Sequence, residues 1–238
     1  MAVTRVNEHI LGGLERPTLD WLADRLPRWV VPNHLTALGV GGALATALGF
    51  ILSRWTLSWL WLASAGLILN WLGDSLDGTL ARCRRIERPR FGFFIDHTTD
   101  MFSQALIFLS LGLSPCARFG TACIGLIAFL MMFVYTLIGA HVRNVMQITY
   151  LGFGATEIRA LLLIGNVLVL AFGIVHVQFG YTPLSLMGSF SGHDLAICVI
   201  SFAAAVVMVS SMVLQARSLS TLDPTPAARP AQKNPTQR

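Results

Sequence analysis

Six apolar stretches, at roughly residues 34–53, 57–81, 93–114, 118–143, 156–179 and 193–216, each reach the length of about 20 residues that a helix needs to cross a bilayer. Lipid offers no hydrogen-bond partner to backbone N–H and C=O groups, so a spanning chain is confined to helices or a closed barrel. The alternation of a barrel strand is absent. The reading is therefore an all-α integral membrane protein, multi-pass, built as a six-transmembrane-helix bundle. Composition agrees. Of the 238 residues, 54% are hydrophobic and 12% are charged, about half the charged share of an average soluble domain. Mean hydropathy is +0.64.

With an even number of spans, both termini fall on one side of the membrane. The 17 Lys and Arg residues then divide fifteen to two, with only Arg54 and Arg118 opposite the termini. Basic residues collect on the cytoplasmic side, which places both termini and the 82–90 loop in the cytoplasm. Topology accounts for the net charge of +5, and no nucleic-acid partner is expected. Cys83, Cys116, Cys123 and Cys198 have no metal-ligand spacing and read as packing residues without a disulfide framework. The first 30 residues mix both charges and hold no continuous apolar core, so no cleavable signal is expected.

Three segments follow from this pattern. Residues 1–31 read as a cytoplasmic, interfacial segment, residues 32–217 as the helical domain, and residues 218–238 as a disordered cytoplasmic tail containing Pro224, Pro226, Pro230 and Pro235. Thr18 is placed to cap a short amphipathic helix in which Leu19, Leu22, Leu26 and Trp29 share a side. Such a helix either lies in the headgroup plane, anchored by Trp21 and Trp29, or packs on the bundle. The run Pro32-Asn33-His34-Leu35-Thr36 starts the first span, with Asn33 as its N-cap. Gly41, Ala45 and Gly49 repeat every four residues as a face for close helix contact. As a helix, residues 57–82 measure about 39 Å against a hydrocarbon core of about 30 Å. The excess projects into the cytoplasm and brings Asp74 to the membrane edge.

Two of the six stretches carry aspartates. Asp74, Asp77, Asp96 and Asp100 stand with Gly78, Ala81, Arg82 and Gly92 in the pattern D-x2-D-G-x2-A-R-x9-G-x3-D-x3-D. An ionisable residue in a membrane helix is costly and marks function. Residues three or four apart share a helix face, so Asp74 and Asp77 line one stripe, and Asp96 and Asp100 another. Four negative charges cannot share a pocket unless cations join them. An all-oxygen cage suits Mg²⁺ or Mn²⁺ rather than zinc, and two such ions form a clamp for phosphoryl transfer. Gly78 leaves room for a ligand against the helix backbone, and Arg82, one turn on, can pair bidentately with phosphate. Arg84, Arg85, Arg88 and Arg90 read as a basic mouth or as topology alone.

Those eight fixed positions resemble the motif of the CDP-alcohol phosphotransferases, also called CDP-alcohol phosphatidyltransferases. The Pro-Asn-x-x-Thr run at residues 32–36 is similar to the family's first span and adds Asn33 and Thr36 to the expected donor-binding set. The resemblance implies a six-helix membrane enzyme of phospholipid biosynthesis, dimeric, that cleaves a CDP-linked donor, transfers a phospho-alcohol or phosphatidyl group to an acceptor hydroxyl, and releases CMP. It implies Asp74, Asp77 and Asp96 as metal ligands, Asp100 as ligand or general base, and Gly78, Ala81 and Arg82 along the CDP site. Expected partners are the CDP donor, a lipid or small-alcohol acceptor, membrane lipids and a second copy of the chain.

His97 follows Asp96 and precedes Asp100 by three, so it is expected to meet Asp100, and an Asp-oriented His is a competent base. The pair resembles the aminoalcohol branch of the family, although Thr98-Thr99 stands where that branch usually has Gly-Cys. Glu157 and Arg159 read as helix-start and positive-inside residues, or as part of an acceptor pocket. Two rivals remain. A cation transporter also uses intramembrane carboxylates, but no polar residue is expected to continue across the bilayer here. A CDP-lipid or diphosphate hydrolase would use the same metals with water as nucleophile.

Overall fold

A computed structural model of the chain describes residues 4–6, 12–143, 145–147, 155–177 and 189–222. Seven helices are present among these residues: α1 (Gly12–Arg25), α2 (Pro32–Leu52), α3 (Leu60–Cys83), α4 (Pro89–Gly112), α5 (Phe119–Arg143), α6 (Ala155–Phe172) and α7 (Gly192–Leu222). Four strands of two or three residues also form, in two small sheets. β1 (Thr4–Val6) pairs in parallel with β2 (Val145–Gln147), and β3 (His176–Val177) pairs antiparallel with β4 (Phe190–Ser191). The architecture is helical, as expected, apart from these strands.

Prolines and left-handed residues set the helix ends. Pro32 and Pro89 occupy the first turns of α2 and α4, where the missing N–H costs nothing. The N-cap of α2 is Val31, in extended conformation and without a side-chain cap bond; Asn33 lies exposed inside the first turn. α3 ends with Arg85 at φ 55 and with Ile86 N–H donating to Ala81 O, the six-to-one bond of a Schellman turn. α6 stops at Phe172 rather than near residue 179, because Gly173 takes φ 78 and its N–H closes on Val169 O. α7 continues to Leu222, past the expected start of the tail at 218; residues 223–238 lie outside the described residues.

By length and composition, α2, α5, α6 and α7 can each cross a membrane. α3 and α4 have 24 residues each, but their polar residues, the aspartates among them, keep them out of that group.

Among the described helices, α2 and α3 form the tightest pair. A Cβ on Gly66 would lie 2.5 Å from the Thr46 nitrogen, and one on Gly73 would overlap the backbone of Gly39. Gly42 and Gly49 are similarly pressed on Asn70 and Ala63. The contact face is thus Gly39, Gly42, Thr46 and Gly49 against Ala63, Gly66, Asn70 and Gly73. The expected Gly41–Ala45–Gly49 face is rotated from this one, and Gly41 meets nothing within 4 Å. α4 packs on α2, α5 on α4 and α7, and α6 on α3. The main core includes Phe50, Leu60, Leu67, Ile107 and Leu111, all fully or almost fully buried.

α1 begins at Gly12, upstream of the expected Thr18 cap, and takes Pro17 into its interior. Tertiary bonds override these breakers. Glu15 Oε1 accepts from Trp71 Nε1 and Ser75 Oγ, each at 2.9 Å. Leu19, Ala23 and Val30 are buried with Leu35, Leu76 and Leu80. The helix therefore packs on the bundle, with Trp21 and Trp29 exposed. Arg84 fastens the segment that follows α1 by donating to the carbonyls of Leu26, Pro27, Arg28 and Val30.

The glycine contact makes a direct prediction. Gly73→Ala should destabilise the protein by about 1–3 kcal/mol, the usual cost of overpacking, whereas Gly41→Ala should leave stability unchanged or raise it. Thermal unfolding in detergent measures both.

Candidate metal centre

The α2–α3 contact aims the first two aspartates. Asn70 Nδ2 donates to Gly39 O at 2.9 Å, one turn before Asp74 on the same face. Thr36 Oγ1 donates to Asp77 Oδ2 at 2.6 Å, so the first-span threonine orients an aspartate of α3. α4 crosses near this point and supplies Asp96 and Asp100. One carboxylate oxygen from each of Asp74, Asp96 and Asp100 lies within 4.8 Å of the other two. Asp77, expected in the same cage, stands outside this trio in the arrangement held by Thr36.

Charge and donor chemistry fit a divalent cation. The three side chains keep 24%, 33% and 26% exposure for Asp74, Asp96 and Asp100, so water alone screens them poorly. All donors are carboxylate oxygens, the set that hard ions prefer. An ion binding at about 2.1 Å bridges oxygens up to about 4.2 Å apart, a spacing within reach of small side-chain rotations.

Arg159 is the charged residue of this site that sequence reasoning placed least well. It is 2% exposed. Its Nη1 lies 2.8 Å from Asp74 Oδ2 and its Nη2 3.5 Å from Asp100 Oδ1. It is a buried counter-charge joining α6 to the two aspartate helices rather than an interfacial anchor. One guanidinium cannot neutralise three carboxylates, so the trio retains a net negative charge for a bound cation.

His97 differs from expectation. Its Nδ1 lies 3.4 Å from Asp96 Oδ2, close but not aligned as a hydrogen bond. Among the described residues it makes no hydrogen bond or ion pair with Asp100. Aromatic rings fix it instead: Phe93 stacks at 4.1 Å between centroids, and Phe133 approaches at 5.6 Å. Sequence spacing puts His97 on the right helix turn but cannot foresee a ring from α5.

The remaining expected residues divide. Arg82 is exposed, donates to Thr79 Oγ1 at 3.0 Å, and lies so near Gly78 that a Cβ there would be 3.3 Å from Nη1. Ala81 is partly exposed beside it; Gly92 is open. Arg84 is spent on the carbonyls of Leu26, Pro27, Arg28 and Val30 and is not free to form the basic mouth, whereas Arg85 lends only its backbone to the turn after α3 and its side chain is exposed. Arg88 lies over the Phe91 ring. Burial pushes the Cys116 thiol up to about 11, consistent with an inert packing role.

Two features lie deeper. Asn70, Gln104 and Asn166 are buried beyond the aspartates, and Asn166 donates to Ser64 at 3.1 Å. Neutral polar groups therefore do continue into the bundle, contrary to expectation, and Asp194 is buried at its far end. Beside the trio, a largely apolar cavity of 830 Å³ separates α5 from α6. Asp96, His97 and Asp100 line one end of it, followed by Phe129, Met132 and Leu162.

Residues 29–209 match the family model described as CDP-alcohol phosphatidyltransferase. The chain belongs to this family. It is a multi-pass membrane protein. It is 28% identical to cholinephosphotransferase 1 of Gallus gallus over 183 residues, which is 74% of this chain and 49% of that protein. Over 107 residues it is 34% identical to a phosphatidylinositol phosphate synthase of Cutibacterium acnes, covering 44% of this chain and 49% of that one. The chain thus spans about half the length of these curated relatives. Its fold is similar to that of the Mycobacterium tuberculosis phosphatidylinositol phosphate synthase solved with CDP-DAG bound. The TM-score is 0.51 at 19% identity, over 84% of this chain and 90% of that one.

Arg159 gives the site a stability test. Arg159→Ala strands two partly buried carboxylates and should cost up to about 3 kcal/mol in chelator. Mg²⁺ or Mn²⁺ should then raise the melting temperature of the variant more than that of the wild type. Equal ion-induced shifts in the two proteins would count against a site shared by guanidinium and ion.

Proposed function

We propose that this protein transfers a phospho-alcohol from a CDP-linked donor to the hydroxyl of a lipid acceptor such as diacylglycerol, releasing CMP. The observation that carries the reading is the shared wall: Asp96 and Asp100 belong both to the carboxylate trio and to the apolar cavity, where His97 stands beside them. A lipid whose chain fills the cavity brings its polar end to these three residues. The similarity to cholinephosphotransferases supports the same assignment.

Asp74, Asp96 and Asp100 would hold Mg²⁺ or Mn²⁺, with Asp77 near enough to join a second ion. Such ions neutralise pyrophosphate charge and stabilise the charge that develops during transfer. Arg82 flanks the phosphates from the aqueous side. Arg159 holds Asp74 and Asp100 in position and restrains their mutual repulsion. The acceptor oxygen forms its bond to the phosphorus distal to cytidine while the bond to the CMP oxygen breaks. Its proton passes to Asp100 or to His97, which both line the cavity end. Phe93 and Phe133 keep the imidazole ring oriented and limit water around it.

A second reading has CDP-diacylglycerol as donor and a soluble alcohol phosphate as acceptor, favoured by the similarity to phosphatidylinositol phosphate synthase. Purified protein incubated with Mn²⁺ and a panel of donors and acceptors separates the readings by lipid product. CMP release without an acceptor would identify a hydrolase instead. Chelator should abolish turnover, and Asp100→Asn should lower it by at least about 10²-fold. His97→Ala decides the base: a comparable loss assigns the proton to His97, and a near-normal rate returns it to Asp100.

Membrane topology belongs to the same proposal. At 24 residues, α3 and α4 are each about 36 Å long, enough to cross with their charged ends in the headgroups. Six spans then put both termini and the aspartates in the cytoplasm, and the family resemblance supports a homodimer. A cysteine introduced at Trp55 should be labelled only from outside, and one at Glu87 only from inside. Labelling of position 87 from outside would reverse the orientation.

A further inference from the structure

α1 reaches the carboxylate site through one buried residue. Glu15 is 9% exposed, and its Oε1 accepts from Trp71 Nε1 and Ser75 Oγ, one turn apart on α3. Ser75 follows Asp74 directly in the chain, and Asp74 Oδ2 is the atom to which Arg159 Nη1 donates at 2.8 Å. Glu15 therefore stands one hydrogen bond and one residue away from the Arg159–Asp74 pair. Its negative charge acts on the Arg159 guanidinium together with those of Asp74 and Asp100. Asp20 and Asp24, the other two acidic residues of α1, are exposed.

The two bonds to α3 do not need a charge. The Trp71 N–H and the Ser75 hydroxyl are neutral donors, and the side-chain oxygen of a glutamine would accept from both. A buried carboxylate carries a desolvation cost that an amide largely avoids. What the carboxylate adds is a field at Arg159. That guanidinium has a double effect on the aspartates. It joins Asp74 to Asp100, and its positive charge opposes the entry of a cation between them. An anion on the α1 side offsets part of that opposition. The guanidinium still holds the two aspartates together, while the site as a whole stays negative enough for an ion.

We propose that Glu15 is a positioning residue of the carboxylate site: docked on α3 beside Asp74, it offsets the charge of Arg159 and so raises the affinity of Asp74, Asp96 and Asp100 for a divalent cation. The inference rests on the metal-dependent reading above. It makes α1 a part of the site's electrostatics as well as a helix packed on the bundle. The effect is specific to Glu15, because Asp20 and Asp24 share its helix but stand in solvent, where water and salt screen them.

The test separates charge from docking. Glu15→Gln removes the charge and keeps both bonds, whereas Trp71→Phe removes one bond and keeps the charge. Mn²⁺ binding to the purified protein in detergent, without substrate, is read from the loss of the free-ion electron paramagnetic resonance signal. Glu15→Gln should raise the half-saturating Mn²⁺ concentration by about fivefold, the scale of one charge acting on a divalent ion through a partly screened site, and should melt close to the wild type. Trp71→Phe should melt lower and bind Mn²⁺ as the wild type does. Asp24→Asn should change neither quantity. The Glu15→Gln shift should recur in the Mn²⁺ concentration for half-maximal CMP release, with kcat unchanged at saturating Mn²⁺. Wild-type Mn²⁺ affinity in Glu15→Gln overturns the proposal. So does an equal loss of affinity in Trp71→Phe, which would trace the effect to docking alone. A Glu15→Gln protein that melts as low as Glu15→Ala overturns it too, because the charge would then serve the fold. Weaker Mn²⁺ binding in Glu15→Gln, with no CMP release from any donor by the wild type, overturns the transferase reading and leaves the role of Glu15 standing. No Mn²⁺ binding by the wild type overturns both.

Discussion

Everything at the metal centre depends on how closely α2 and α3 approach. Small residues let the two backbones touch at Gly39 and Gly73, and no side chain remains between them to absorb a change in register. The apolar driving force that joins helices in water is weak between helices in lipid, so such packing and a few polar bonds must supply the specificity. Here the bonds Asn70 to Gly39 and Thr36 to Asp77 complete it. A rigid pair results, and the direction of Asp74 and Asp77 is set by helix geometry rather than by a loop. α1, docked through Glu15 and followed by a segment that Arg84 fastens, packs on α3 of the same pair.

Electrostatics then explains why a third helix must reach in. Three carboxylates within 4.8 Å repel one another strongly where water is scarce. Arg159 brings a permanent positive charge from α6 to two of them. A guanidinium suits this task because it stays charged and offers a planar fork of donors. It keeps the site folded without satisfying it. The residual negative charge is what suits the trio to a cation rather than to a closed ion-pair network.

The helices and the aspartate pattern were legible in the sequence because both are local. Apolar length marks α2 through α7, and the three- and four-residue spacings place the acidic stripes. What escaped depends on partners distant in the chain. Gly41 and Gly42 are both small, and only the position of α3 decides which one is pressed. Arg159 looks like a membrane-edge residue until α6 is seen to lie on α3. The ring of His97 is turned by Phe133, a residue of another helix. The start of α1 was missed because Gly12, Gly13 and Pro17 have poor helix propensity, and the Glu15 contacts that override it are tertiary.

The molecule is built with two kinds of packing, and each suits one half of the chemistry. α2, α3 and α4 meet closely and hold charged groups to fixed positions, as ion and phosphate binding requires. α5 and α6 stay apart, and the space between them is lined mostly by apolar side chains. A water-soluble protein could not keep such a volume apolar and open without a large penalty, but a membrane protein has lipid as its solvent and loses little. The reactive carboxylates stand on the boundary between the tight half and the loose half. In the proposed reaction, substrates of opposite character, one charged and one greasy, would therefore reach the same atoms from two directions without either crossing the other's environment.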